Sequence, residues 1–158
     1  MIINITLNGK KIQKDVAPDK ILLDFVRECG CCSVKRGCET ANCGLCTVLL
    51  DGRPVLSCSV LAVRTDGHEI TTLEGLQNEA KEFGEFLSNE GGDQCGFCNP
   101  GFIMNVLAME KELADPSEEE IKEYLSGNLC RCSGFVSQSR SIQKYLQYKK
   151  SQKGGKDA

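Results

Sequence analysis

The chain has 158 residues, a net charge of −3, few aromatic residues and no tryptophan; this length allows one large domain or two small ones, and a domain of half the size often needs a metal or other staple beside its modest core. Nothing in the charge balance points to a nucleic-acid partner, and no apolar stretch approaches the roughly 18 residues of a membrane span. Eleven cysteines leave disulfides, zinc and iron–sulfur as competing readings. The first nine residues have no basic region, long apolar run or small-residue cleavage site, so a cytoplasmic chain with reduced thiols is expected. An odd cysteine count in that setting sets disulfides aside and leaves metal.

In chain order, Ile2–Leu7 alternates apolar and polar residues and reads as a strand. Asn8-Gly9 signals a hairpin turn, and Lys10–Val16 returns as the second strand. Pro18-Asp19 opens a helix from Lys20 to about Glu28, with Ile21, Leu22, Phe25 and Val26 on a core face. Gly30 to Thr47 is dense in Cys and Gly and has no period. Thr47–Leu50, Asp51-Gly52 and Pro54–Ser57 read as another hairpin, followed by an apolar run at Val60–Val63 and a strand at His68–Thr72. Strands, a helix and more strands around an irregular loop predict a β-grasp-like α+β domain ending near Gly75.

The second half carries no strand signal and is expected to be a small helical bundle. Asn78–Ser88 has helical spacing and is broken by Gly91-Gly92. Asn99 suits an N-cap and Pro100 the first helical position of a helix running to about Leu113. Asp115-Pro116 stops it. Ser117 and Glu120 form a capping box for a helix ending near Ser126-Gly127. A last helix is predicted from about Ser139 to Tyr148, and the basic, Gly-rich end is expected to be solvated and disordered. The expected division is residues 1–76, residues 77–150 and a tail of residues 151–158.

Cys38, Cys43 and Cys46, with Cys58 further on, have the C-x4-C-x2-C…C spacing of plant-type [2Fe–2S] sites. One loop places three thiolates around an iron–sulfide rhomb, and the fourth comes from the far side of the hairpin. Gly37 and Gly44 let the backbone approach and turn N–H groups toward sulfur, which raises the reduction potential. Zinc sites usually pair two short knuckles instead. The second constellation is Cys95-x2-Cys98, a helical hairpin, then Cys130-x-Cys132. Two antiparallel helices bring both pairs to one end of the bundle, and the helix N-terminus near Cys98 favours thiolate. From spacing alone, zinc remains a rival at this second site.

Taken together, Gly37-Cys38, Cys43-Gly44-x-Cys46, Asp51-Gly52, Ser57-Cys58, Thr72-Leu73-Glu74-Gly75, Gln94-Cys95-Gly96-Phe97-Cys98, Pro100-Gly101 and Gly127-Asn128-Leu129-Cys130-Arg131-Cys132 resemble the small iron–sulfur subunit of the molybdenum hydroxylases, the xanthine dehydrogenase and aldehyde oxidoreductase family. The resemblance spans about Ile2 to Leu146. It implies an α+β chain with a plant-ferredoxin-like β-grasp domain followed by an all-α four-helix domain, each holding one [2Fe–2S] cluster. It implies a heteromeric oxidoreductase in which this subunit is not catalytic alone. Electrons would pass from molybdopterin on a large partner subunit, through both clusters, to FAD on a medium partner subunit. The helical-domain cluster would lie next to the pterin, with Gln94 and Cys132 at the pterin-facing edge, and the β-grasp cluster would face the flavin. A zinc-stapled interaction module and a free-standing two-cluster ferredoxin are the alternative readings.

The sequence departs from the family pattern at four places. Ala41-Asn42 stand where Gly-Glu is usual, Asn99 where Thr is usual, and Ser133-Gly134-Phe135 where Thr-Gly-Tyr is usual. Val136–Ser141 is more polar than usual and reads as extra residues before Ile142, which puts the register of the last helix in question. Cys29, Cys31 and Cys32 read as small hydrophobes near the first site, or as a redox-active or substitute-ligand thiol. His68, the one histidine, reads as a surface residue beside a turn, which closes a two-histidine Rieske site. Arg131 reads equally as a charge tuning the second cluster and as an interface ion pair.

Overall fold

The computed structural model describes residues 1–154. β1 (Ile2–Leu7) alternates as expected and buries Ile3, Ile5 and Leu7. Asn8 and Gly9 both take positive φ, 50° and 77°. That geometry matches the right-handed twist of the strands and returns the chain as β2 (Lys10–Asp15), a lysine-rich edge strand. α1 (Leu22–Glu28) follows, with Leu22, Leu23, Phe25 and Val26 buried. β3 (Thr47–Leu50) and β4 (Arg53–Leu56) form the second hairpin across Asp51-Gly52, whose φ values are again positive, 49° and 81°. β5 (Glu69–Thr71) completes a five-stranded sheet of order β2-β1-β5-β3-β4, in which only β1 and β5 run parallel. The apolar side of the sheet closes on α1, and Ile3, Ile5, Phe25, Val26, Val48 and Ile70 share that core. The apolar run Val60–Val63 is not a strand: Leu61 makes a single bridge to Ile21, and a 3-10 turn takes over at Ala62–Thr65.

The second half is four helices, α2 (Gln77–Asn89), α3 (Asn99–Glu112), α4 (Glu118–Tyr124) and α5 (Phe135–Gly154). The fold class is therefore α+β, a β-grasp sheet followed by a helical bundle. Phe83, Phe102, Val106, Ile121, Ile142 and Tyr145 form the bundle core, with the Phe83 and Tyr145 rings edge to face at 5.2 Å. The Tyr145 hydroxyl is satisfied by donating to Glu110 Oε2 at 2.8 Å. α3 is apolar nearly all round because it serves two cores. Phe102, Val106 and Met109 face the bundle, while Met104 and Ala108 pack on Leu49 of β3. This helix joins the two halves.

Several boundaries differ from the expectations. α1 starts at Leu22, not Lys20. Asn99 is not the N-cap of α3: the Cys98 carbonyl already accepts from Phe102 N–H at 3.1 Å, so helical bonding begins one residue earlier, and the Asn99 side chain donates to Asp93 instead. Pro100 still lies in the first turn, where a missing N–H costs nothing. The capping box of Ser117 and Glu120 is present. α5 begins at Phe135, so Val136–Ser141 is not an insertion ahead of the last helix but its first two turns. Ser137 and Ser141 bond back to the carbonyls of Ser133 and Ser137, which lets a polar segment lie buried as helix. The helix continues to Gly154, four residues into the expected tail; residues 155–158 of that tail lie outside the described residues.

Glu74 ties the loop after α1 to the end of the sheet. Its carboxylate accepts from Ser33 N–H at 2.8 Å, Ser33 Oγ at 2.6 Å and Thr72 Oγ1 at 2.6 Å. Burial acts to raise the Glu74 pKa, and these hydrogen bonds overcome it and hold it below the ordinary value. A depressed carboxylate contributes stability that is complete above its unfolded pKa and is lost as pH falls through its folded one. Glu74→Gln should therefore lower stability by about 1 kcal/mol at pH 7. The difference between variant and parent should shrink toward zero as urea titrations are taken below about pH 4.

Candidate metal centres

The first cysteine group is built on the loop between α1 and β3. Lys35 N–H bonds to Leu45 C=O at 3.2 Å, Arg27 holds Val34 C=O at 2.6 Å, and Thr47 Oγ1 donates to Gly44 C=O at 2.7 Å, so the loop is pinned at both ends. Gly37 has no room for a side chain: a Cβ there would sit 2.7 Å from Leu45 Cδ2 and 3.2 Å from Cys43 Sγ. Gly44 takes φ +75°. Cys58 comes from the 3-10 turn after β4. Buried Ser57 sets its place, with Oγ and N–H on Cys46 C=O at 2.7 and 3.3 Å. Ser57 was quoted in the sequence only as part of a motif, and its clamping role needs the fold to be seen.

The thiols of this group associate in twos. Cys38 and Cys43 act on one another's ionisation, as do Cys46 and Cys58. The backbone N–H groups of Asn42 and Thr40 bring the Cys38 thiol down to about 6, whereas burial pushes Cys46 up to about 11. Burial also raises Cys43, against an N–H from Leu45. A deeply placed thiol of this kind ionises readily only when a metal supplies compensating positive charge. The inward N–H groups would then stabilise the extra negative charge of a reduced centre.

The second group lies at the α3 end of the bundle. Cys95 and Cys132 place their sulfurs 3.5 Å apart, and Cys98 and Cys130 act on one another's ionisation. Burial and Cys130 push Cys98 up to about 12. At Cys130 burial acts upward, but N–H groups from Ser133, Cys132 and Gly134 outweigh it; the Ser133 contact is 3.4 Å. Cys95 and Cys132 are exposed, and Cys98 and Cys130 are half-buried. Gln94 is exposed and its Nε2 lies 3.4 Å from Cys132 C=O.

This donor set fits two binuclear clusters. Two thiolates on one tetrahedral metal, with bonds of about 2.3 Å, stand about 3.8 Å apart, close to the Cys95–Cys132 separation. A [2Fe–2S] group needs two such pairs per cluster, and eight thiols in two sets match that demand in number.

The remaining candidates stand apart. Cys31 is buried in the first core, Cys29 packs against that core, and Cys32 is exposed. His68 is exposed and its Nδ1 meets Asp51 Oδ2 at 2.5 Å. Arg131 is exposed on the loop between Cys130 and Cys132.

The two sets meet at a junction that sequence alone does not reveal. Leu129 N–H donates to Cys43 C=O at 2.9 Å, so one hydrogen bond links a first-set cysteine to the residue before Cys130. Buried Asn128 reaches Gly44 C=O at 3.5 Å and accepts from Asn105 Nδ2 at 2.5 Å. Gly101 of α3 lies so close that a Cβ there would fall 2.2 Å from Gly44 O.

Comparison with known proteins follows the same division. A 2Fe-2S iron-sulfur cluster binding domain family matches residues 5–88, and a [2Fe-2S] binding domain family matches residues 72–143. The chain is 42% identical over 137 residues to the nicotinate dehydrogenase small FeS subunit of Eubacterium barkeri, covering 85% of this chain and 87% of that one. It is 44% identical over 140 residues to the xanthine dehydrogenase iron-sulfur-binding subunit of Escherichia coli O157:H7, covering 84% and 86%. Among solved structures, quinoline 2-oxidoreductase from Pseudomonas putida 86 superposes with a TM-score of 0.88 at 37% identity, over 98% of this chain and 97% of that one. Aldehyde oxidoreductase from Desulfovibrio gigas gives 0.86 at 32% identity, over 96% of this chain and 17% of that longer one.

Substituting Gly101→Ala should force the α3 backbone away from Gly44. The expected loss is about 1–3 kcal/mol in urea denaturation of the metal-loaded chain. Gly84→Ala, where a Cβ meets nothing within 4 Å, should be neutral or slightly stabilising.

Proposed function

The chain belongs to the small iron–sulfur subunits of the molybdenum hydroxylases, the xanthine dehydrogenase and aldehyde oxidoreductase family, and on that premise we propose which residues carry its electron-transfer work and which partners it joins. Cys38, Cys43, Cys46 and Cys58 hold one [2Fe–2S] cluster on the β-grasp unit, residues 1–76. Cys95, Cys98, Cys130 and Cys132 hold the other on the helical unit, residues 77–150. When bound, these groups supply one-electron transfer; the protein sets distance, potential and docking.

The observation that carries this reading is the Leu129–Cys43 hydrogen bond. It leaves a path from Cys130 to Cys43 that is covalent except for one 2.9 Å contact. Direction is taken from the family resemblance. Cys95 and Cys132 lie open at one end of the molecule, where a large molybdopterin-binding subunit can deliver electrons. By the same resemblance Gln94 and Cys132, 3.4 Å apart through Gln94 Nε2 and Cys132 C=O, would hydrogen-bond the pterin. The first set then faces a medium FAD-binding subunit, and the assembly works in the cytoplasm as an oxidoreductase in which this chain performs no bond chemistry alone. No described helix is long and apolar enough to cross a membrane.

The test is metal content and company. Anaerobically isolated chain should be red-brown, hold about four irons, and bring down molybdenum- and flavin-containing subunits. Cys43→Ser and Cys98→Ser should each cut iron to about two per chain and remove a different paramagnetic signal after reduction. A colourless, zinc-loaded chain contradicts the proposal, and so does an iron-loaded one that binds neither subunit.

A further inference from the structure

Leu129 N–H meets Cys43 C=O at 2.9 Å and joins the two thiol-bearing segments through the main chain. A single hydrogen bond between two loops is worth little net and works as a hinge, free to swing and open. Here a second contact lies one residue back on one segment and one residue forward on the other: the Asn128 amide reaches Gly44 C=O at 3.5 Å. Two consecutive rungs fix the angle between the segments, where one would fix only a point. The Asn128 side chain is held in turn from α3, its Oδ1 accepting from Asn105 Nδ2 at 2.5 Å. Its main chain is held by Asn128 N–H on Leu125 C=O at 2.9 Å.

The fold leaves room for this amide by omitting a side chain next to it. Asn128 is 5% exposed, and a Cβ on Gly44 would fall 2.5 Å from Asn128 Nδ2 and 2.5 Å from Gly127 O. Gly44 C=O is also gripped from its own loop, by Thr47 Oγ1 at 2.7 Å and Thr47 N–H at 3.3 Å, so the acceptor that Asn128 reaches is itself held in place. A leucine would fill such a space without burying an amide, whose polar atoms cost free energy unless they are paired. Filling space therefore does not account for Asn128, whereas spanning three segments with one donor and one acceptor does. An open cleft of about 460 Å³ reaches Gly44, Asn105 and Gly127, so solvent comes to the edge of the seam and would compete for Gly44 C=O if the amide were removed.

We propose that Asn128 is a positioning residue for electron transfer between the two clusters: its amide locks Leu129 N–H onto Cys43 C=O and so keeps the path from Cys130 to Cys43 continuous. The transfer moves one electron, oxidising one cluster and reducing the other, with no proton or bond exchanged. Asn128 is not a ligand and acts through the Leu129 contact. This inference rests on the proposed assignment of the eight thiols to two clusters, and on nothing about the partner subunits.

The test compares the parent chain with Asn128→Ala, both isolated anaerobically with iron. Hydrogen exchange of the Leu129 amide, followed by mass spectrometry, should run about tenfold faster in the variant, because two side-chain hydrogen bonds that hold the contact are gone. A substoichiometric one-electron pulse from a photoexcited dye should redistribute between the clusters severalfold more slowly, as read by freeze-quenched electron spin resonance. The final distribution should match the parent's, because position and not potential is altered. A variant that melts lower yet redistributes at the parent's rate overturns the inference, as does a shifted final distribution or unchanged exchange at Leu129. Asn105→Ala removes the donor to Asn128 Oδ1 from a half-buried position; it stands in if the first variant does not keep its iron, and the same criteria apply. A parent chain that does not load two reducible clusters overturns the functional reading, and this inference with it.

Discussion

The close approach of α3 to the first cysteine loop governs the rest of the molecule. Gly101 meets the Gly44 carbonyl with no space for a methyl group, and that contact fixes how the bundle sits on the sheet. α3 is apolar on both sides because it lies between two cores, with Met104 and Ala108 against Leu49. With the helix set there, Cys98 at its N-terminus and the returning Leu129-Cys130 strand of chain are carried to the edge of the first loop. Asn128 and Asn105 close the seam with side-chain hydrogen bonds. Small residues and paired polar groups at this seam hold the two thiol-bearing segments against one another.

Electrostatics divides labour within each set. Some thiols are stabilised as thiolates by backbone N–H groups, Cys38 most clearly. Others, Cys46 and Cys98, are buried enough to resist ionisation until a metal neutralises them. A site of this kind is polarised by its own backbone, which suits a group that gains and loses one negative charge. Glu74 contributes at one remove. By gripping Ser33 it anchors the chain leading into the loop, while its own charge is satisfied by three hydrogen bonds.

Much of this was legible in the sequence because the informative signals are local. The spacing of Cys38, Cys43 and Cys46 is a property of one short loop, and the Asn8-Gly9 and Asp51-Gly52 turns follow from backbone preferences of four residues. The capping box at Ser117 was equally plain. The hidden parts depend on tertiary context. The start of α5 was missed because Val136–Ser141 has no apolar period; it becomes helix through serine back-bonding and burial against the bundle. Asn99 looked like a cap, but Asp93 captures its amide. The contact of Leu129 with Cys43 joins residues 86 positions apart, and no spacing rule foretells it.

The molecule thus has two unlike ends joined by one seam: a sheet side whose four thiols are buried or half-buried, and a bundle in which Cys95 and Cys132 stand open. That polarity suits a subunit lying between an electron donor and an electron acceptor. The most direct check of the seam is low-temperature electron spin resonance on the fully reduced, iron-loaded chain. Two distinct signals, each near one spin per chain and each broadened or split by the other, are expected of centres held this close. A single signal, or two that show no mutual coupling, would contradict the account.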